Sequence, residues 1–473
     1  MTWLDEPVVR LAQRVRDGET TPVAMVDAFI SRIEERNPSL NALIGPRFEQ
    51  ARVHAAEQTA NPPAHLPPLW GVPITVKEFI EVEAMPNTAG LTRRRGSVAQ
   101  AHSPLVDRLH EAGAIVLGVS NAPEVGLWTE TVNRVYGRTN NPHDLRRTPG
   151  GSSGGEAALV ASGASPLGIG TDIGGSVRLP AFCCGIFAHK PTAGVVPNVG
   201  LFPRVDGDTG RLHSAGPMAR SVDDLELVLD VLAGSHDADP LSHGELPDRT
   251  IDSPHEVTVL IVDSLKRPRI SKAVRSGMHA AANALEARGA KVRAWHHPAL
   301  DKGFDLWAAV MEEYSGDASF RDTLGDGKPV SPLREALKLP LGRSDFILPS
   351  VVLLLLEGAF ARLPNSRRKR LLQTAVDLRD ELEAAMGPNG VLLYPSYSRT
   401  APRHRRMMLR PFDFACTGLF NALEMPATQV PAGRARDGMP LGLQVVAPRG
   451  ADRNALHVAR WLEQDLGGWV KPR

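Results

Sequence analysis

Apolar and polar positions alternate along this chain in blocks that change period from helix to strand and back. Thr21 followed by Pro22 forms an N-cap and first helical position, and Val26, Phe29, Ile30 and Ile33 then recur at helical spacing up to Asn37. Leu69 to Lys77, LWGVPITVK, passes from a Gly-Val-Pro turn into Ile74, Thr75 and Val76, which puts Lys77 at a strand end. Ser103 and Pro104 open a further helix that Gly113 closes, and Ile115 to Val119 is a short apolar strand. Helix and strand recur at Glu156 to Ser162 and Pro166 to Gly170. Such alternation predicts an α/β sheet with helices on both faces.

Downstream, Asp224 to Leu232 sets Leu225, Val228, Leu229 and Leu232 on one helical face. Gly234 to Glu256 is polar, with scattered proline, aspartate and histidine, and is the best linker candidate. Val257 to Val262 then reads as a buried strand, Ser271 to Arg288 as an Ala-rich helix and Ala290 to Trp295 as another strand. Because the alternation resumes, the linker is an excursion within one domain rather than a boundary.

Charge narrows the range of partners. With 54 basic and 53 acidic residues the net charge is close to zero, so no global attraction to nucleic acid or anionic membrane is expected. The basic runs Arg93 to Arg95, Arg367 to Arg370 and Arg403 to Arg406 lack interleaved aromatics and read as solvated faces. Cys183, Cys184 and Cys416 form neither a disulfide framework nor a spaced zinc site, and Cys183 and Cys184 read as small packing residues in a reducing compartment. The opening MTWLDEPVVR does not look like a secretory signal. The longest apolar block, Phe346 to Leu356, is interrupted by Pro349 and is shorter than the roughly 20 residues a membrane span needs. The expectation is a cytoplasmic protein with no transmembrane segment and no nucleic-acid partner.

Chemistry concentrates between Pro149 and Pro180, PGGSSGGEAALVASGASPLGIGTDIGGSVRLP. Gly150 to Gly154 fits G-x-S-x-G, but a nucleophile elbow follows a strand and Ser152 follows loop sequence. Gly168 and Gly170 begin a dinucleotide fingerprint that fails at Ile173. What remains is Ser152 and Ser176 in two glycine-lined loops, with Lys77 apart from them at its strand end. A serine needs a base, and a lysine serves if its site keeps it neutral. Bringing a lysine from about 10.4 to about 7.5 costs roughly 4 kcal/mol, which burial supplies. In Asp172 to Ser176 the amides around Gly174 and Gly175 can converge on one oxyanion.

The run Pro149 to Thr192 resembles the signature block of the amidase signature family and is most similar to its fatty-acid amide hydrolase branch. The likeness includes LWGVPITVKE, YGRTNNPHD, AGPMARSVDDLELVLDVLAG, NALEMPATQVPAG and GMPLGLQVVAPRGAD, and so extends through most of the chain. It implies the amidase signature fold, with a large mixed central sheet covered by helices on both faces, in one domain over residues 1–473. A variable substrate-channel region is expected at about 300–375, where the Phe346 to Leu356 block reads as a core helix, a channel wall or a membrane-touching cap.

The resemblance implies a Ser/cis-Ser/Lys triad: Ser176 as nucleophile, Ser152 as bridge and Lys77 as base. The oxyanion hole falls on the amides of Ile173, Gly174, Gly175 and Ser176. Asp172 and Arg178 are expected to hold the loop by charged hydrogen bonds, and Ser153 to support the Lys77 network. No metal or organic cofactor is implied, and a homodimer is compatible with the likeness. The expected activity is hydrolysis of a linear, fairly apolar amide: a fatty amide, an aryl acylamide or a carbamate. The alternatives are the ammonia-producing component of a tRNA-dependent amidotransferase and a catalytically silent binding protein of the same fold.

Overall fold

In a computed structural model the chain is described except at residues 1, 245, 248–250, 252, 317–318, 361–363 and 473. Thr21 caps the helix Pro22–Leu40, its hydroxyl accepting the Ala24 amide at 3.2 Å, and the helix buries Met25, Val26, Phe29, Ile30 and Ile33. Ser103 caps Pro104–Glu111 in the same way, and Gly113 then turns the chain at φ +90, where a Cβ would lie 2.7 Å from the Trp70 Cα.

These turns deliver strands to one mixed sheet of eleven. Its order is Leu43–Pro46, Ile115–Ser120, Pro73–Lys77, Leu167–Asp172, Ser214–Ala219, Phe187–Lys190, Ala427–Arg434, Pro440–Val446, Val391–Tyr394, Thr258–Ile261 and Lys291–Ala294. Pro73–Lys77 is parallel to both neighbours, pairing Lys77 with Ser120 and Val76 with Ile169. Thr258–Ile261, which follows the linker candidate, joins the same sheet parallel to Val391–Tyr394 and Lys291–Ala294. The chain beyond the linker thus extends the first sheet instead of starting a second.

Side chains on the Ile115–Ser120 strand report both faces. Ile115 and Leu117 pack with Phe29, Ile30 and Leu159, whereas Val116 and Val119 pack with Ile74, Val76 and Leu109. Being covered on each side explains why such strands read as unbroken apolar runs.

The Phe346 to Leu356 block becomes the helix Leu348–Phe360, with Pro349 in the first turn, where its missing N–H is harmless. Phe346, Val351 and Leu354 are buried in a cluster with Phe79, Val125 and Leu324, while Leu348, Leu355 and Leu356 are exposed. Among the described residues no helix is long and apolar enough to cross a membrane.

Candidate active site

Lys77 ends its strand inside the protein, fully buried, because Ile74 and Val76 anchor one face of the strand while Thr75 and Lys77 share the other. Its ammonium nitrogen lies 2.7 Å from Ser152 Oγ and 2.8 Å from Thr171 Oγ1, and 4.3 Å from the centre of the Phe79 ring. Burial lowers its pKa to about 7, against the opposing pull of Asp172, Glu156 and Glu78.

Ser152 follows a cis peptide bond from Gly151. Its loop is threaded where side chains would not fit. A Cβ on Gly150, at φ +84, would lie 2.7 Å from the Pro180 Cα, and one on Gly154 would lie 2.1 Å from Thr131 Oγ1. Ser153 spans the two loops: its amide donates to Ser176 O at 3.1 Å, and its hydroxyl stands 3.3 Å from both the amide nitrogen and the carbonyl oxygen of Thr171. Since Thr171 in turn touches Lys77, Ser153 reaches the lysine through one intermediary.

The turn Asp172 to Ser176 is held from outside by its carbonyls. Asp172 O accepts from Asn421 Nδ2 at 3.2 Å, Ile173 O from Trp307 Nε1 at 2.8 Å, Gly174 O from Thr417 Oγ1 at 3.0 Å and Gly175 O from the Leu179 amide at 2.7 Å. With these carbonyls and that of Ser176 engaged, the amides of Ile173, Gly174 and Ser176 have no hydrogen bond among the described residues. The Gly175 amide departs from the expectation for the oxyanion hole. It donates to Asp172 Oδ1 at 2.6 Å, so it is already committed. Gly175 has a different task, since its φ is +114 and a Cβ there would fall 1.8 Å from Thr417 Oγ1.

Asp172 and Arg178 form a salt bridge at 3.1 Å with no side-chain exposure. Burial alone would raise the Asp172 carboxyl, but Arg178 and the Asn421 bond hold it well below the usual carboxylate range. Arg178 also donates to Gln444 Oε1 and Asn421 Oδ1, each at 2.7 Å. The Ser176 hydroxyl is half-buried and has no hydrogen bond among the described residues. No cluster of histidine, cysteine and acidic side chains suited to a metal ion occurs among those residues.

Sequence reasoning did not single out Thr171, Trp307, Thr417, Asn421 or Gln444. Only Thr171 carried a usable signal, as a hydroxyl in line with the Asp172 turn.

The sheet and the two serine loops define a class of hydrolase, and the amidase family model matches residues 24–456. The chain belongs to that family and hydrolyses amide C–N bonds. It is 40% identical to human fatty-acid amide hydrolase 2, over 98% of this chain and 90% of the relative. It is 31% identical to one component of the glutamyl-tRNA(Gln) amidotransferase of Deinococcus radiodurans, over 97% of each chain. Among solved structures, 6-aminohexanoate cyclic dimer hydrolase complexed with substrate superposes with a TM-score of 0.81 at 26% identity, over 99% of each chain.

Proposed function

We propose that this chain hydrolyses linear, fairly apolar amides through a serine acyl-enzyme, with Ser176 as nucleophile, Ser152 as proton bridge and Lys77 as base. The observation that carries this reading is the 2.7 Å contact between a fully buried Lys77 and Ser152. A lysine brought to about 7 is uncharged in a large fraction of molecules at neutral pH and can accept a proton.

Neutral Lys77 draws a proton from Ser152 as Ser152 takes one from Ser176, whose hydroxyl makes no hydrogen bond to Ser152 in this structure and has to turn toward it first, and the Ser176 oxygen adds to the substrate carbonyl. The oxyanion is met by the free amides of Ile173, Gly174 and Ser176. Ser152 returns a proton to the leaving nitrogen as the C–N bond breaks, and water cleaves the acyl-enzyme by the reverse relay. Asp172 and Arg178 keep the turn in shape and need not touch substrate.

The surroundings favour an apolar substrate. A Cβ built on Gly126 would stand 3.0 Å from the Phe79 ring and 3.4 Å from Ser152 Oγ, so the Phe79 cluster with Val125, Phe346 and Leu354 adjoins Ser152. Trp307 and Phe414 close on Gly174, each 3.4 Å from where its Cβ would be. A fatty amide, an aryl acylamide or a carbamate suits such walls.

The 31% identity to an amidotransferase component favours a second reading, an ammonia-producing enzyme that works inside a complex. The purified chain should turn over an acyl anilide without glutamine, tRNA, ATP or a partner. Activity strictly dependent on a partner protein would establish the second reading instead.

A further inference from the structure

Behind Lys77 lies a buried chain of oxygens whose protons can be counted. Ser165 Oγ is 2.6 Å from the carbonyl oxygen of Leu167, Thr75 Oγ1 is 3.1 Å from Ser165 Oγ, and Thr75 Oγ1 is 2.6 Å from Glu156 Oε2. A carbonyl oxygen only accepts, and two oxygens at 2.6 Å need a proton between them, so the single Ser165 proton points at Leu167. Thr75 then has a single proton for two contacts: both are hydrogen bonds only if the carboxyl supplies the proton of the 2.6 Å one, whereas a carboxylate would take the Thr75 proton and leave the two hydroxyl oxygens at 3.1 Å with none between them.

We propose that Glu156 is a positioning residue held as a neutral carboxylic acid, donating its proton to Thr75 and thereby keeping a negative charge away from Lys77. Two further observations agree. Glu156 is fully buried and its other oxygen, Oε1, has no hydrogen-bond partner among the described residues, an arrangement much costlier for a carboxylate than for the C=O of an acid. Burial also pushes its pKa well above the usual carboxylate range, against the lowering pull of the Thr75 hydroxyl, of Lys77 and of the nearby Ser120 hydroxyl, which makes no hydrogen bond of its own among the described residues. The carboxyl lies flat on the next strand, where a Cβ on Gly168 would be 2.2 Å from Oε2, so it has little freedom to turn to another partner.

The charged and titratable groups facing this pocket are Lys77 and the adjoining Glu78, Asp172 on the next strand with its partner Arg178, His213 just before the strand after that, and Arg220, which donates to the Ser165 carbonyl at 2.8 Å. Asp172 is neutralised by Arg178, and burial lowers the His213 pKa to about 3, which leaves it uncharged. An ionised Glu156 would find its countercharge in Lys77 and favour the ammonium, which cannot act as a base.

This inference rests on Lys77 being the base, and its infrared test is independent of that role. Infrared difference spectra of the full chain, wild type minus Glu156→Gln at neutral pH, should contain a protonated-carboxyl C=O band. In kcat/KM profiles the acid limb should keep its midpoint in Glu156→Gln, because a neutral group replaces a neutral group. Absence of the band, or an acid limb displaced to lower pH by about one unit, a tenfold change in rate at fixed acidic pH, overturns the proposal. If Glu156→Gln does not fold, Thr75→Val serves instead: removing the acceptor should shift one carboxylic-acid band, and an unchanged spectrum overturns the proposal. Failure of the base assignment itself would appear separately, as Lys77→Ala retaining activity.

Discussion

Asp172 and Arg178, six positions apart and both without solvent exposure, clamp the turn that ends in Ser176. The carboxylate takes the Gly175 and Val177 amides as well as the guanidinium, so one side chain fixes both flanks of Ser176. Replacing Asp172 by alanine strands a buried cation. The expected cost is about 3–5 kcal/mol, read as a lower denaturation midpoint. A loss below about 1 kcal/mol would mean that Gln444 and Asn421 alone satisfy Arg178.

Ser176→Ala should lose at least about a thousandfold in kcat/KM on an acyl anilide, as expected when a covalent nucleophile is removed. Its unfolding free energy should stay within about 0.5 kcal/mol of wild type, because the hydroxyl has no hydrogen bond to lose. A variant that still forms a covalent acyl adduct, detected by mass spectrometry, would move the nucleophile elsewhere.

The base assignment makes a prediction with a definite sign. Lys77 must be uncharged to act, so kcat/KM should rise with pH through about 7 and level off above it. Stability follows the same titration. The folded-state pKa lies below that of the unfolded chain, so between about 7 and the ordinary lysine value the unfolded state binds more protons and stability rises with pH. Lys190, also lowered to about 7 by burial, adds a second contribution of the same sign. Lys77→Met should remove one of the two, flattening the stability–pH curve in that window while abolishing most activity. A curve that keeps its wild-type slope would mean that Lys77 is not depressed.

Gly175→Ala should be severely disruptive, since its φ of +114 and the Thr417 side chain both exclude a methyl group. Loss of activity with a reduced melting temperature is expected. Near-normal turnover would show that the Thr417 helix can move away from the turn.

Substrate choice should respond to Phe79. Phe79→Ala removes the ring whose centre lies 4.3 Å from the Lys77 nitrogen, and should raise KM for long-chain anilides more than for acetyl anilides. An equal effect on both chain lengths would place the acyl channel along Trp307 and Phe414 instead.

The local parts of this site could be read from the chain, whereas the meeting of Lys77 with Ser152, 75 positions apart, was implied by the family resemblance alone. Lys77 at a strand end follows from ITVK preceded by Gly-Val-Pro, and the Asp172–Arg178 clamp spans six positions, within the reach of one turn. The helix starts at Thr21 and Ser103 follow from hydroxyl caps before proline, and both are observed. The groups that were missed come from far along the chain. Asn421 and Thr417 reach Asp172 and Gly174 across 249 and 243 positions, and Gln444 reaches Arg178 across 266. Only the strand order decides such meetings, and no periodicity records them. Glu156 illustrates another limit: the helix Gly154–Ala161 is buried all round, so its one acid looks like an ordinary N-terminal carboxylate until Thr75 is seen against it.

The carbonyl bracing of the Ser176 turn means that residues 149–180 are not a transplantable cassette. Its shape is stored in the Trp307 indole, two side chains from the helix Ala415–Ala422 and a glutamine on the strand Pro440–Val446. A graft of the serine loops onto another sheet would carry Ser176 without its scaffolding, and a chain cut short before Pro440 would lose the Gln444 anchor even with Lys77, Ser152 and Ser176 all present.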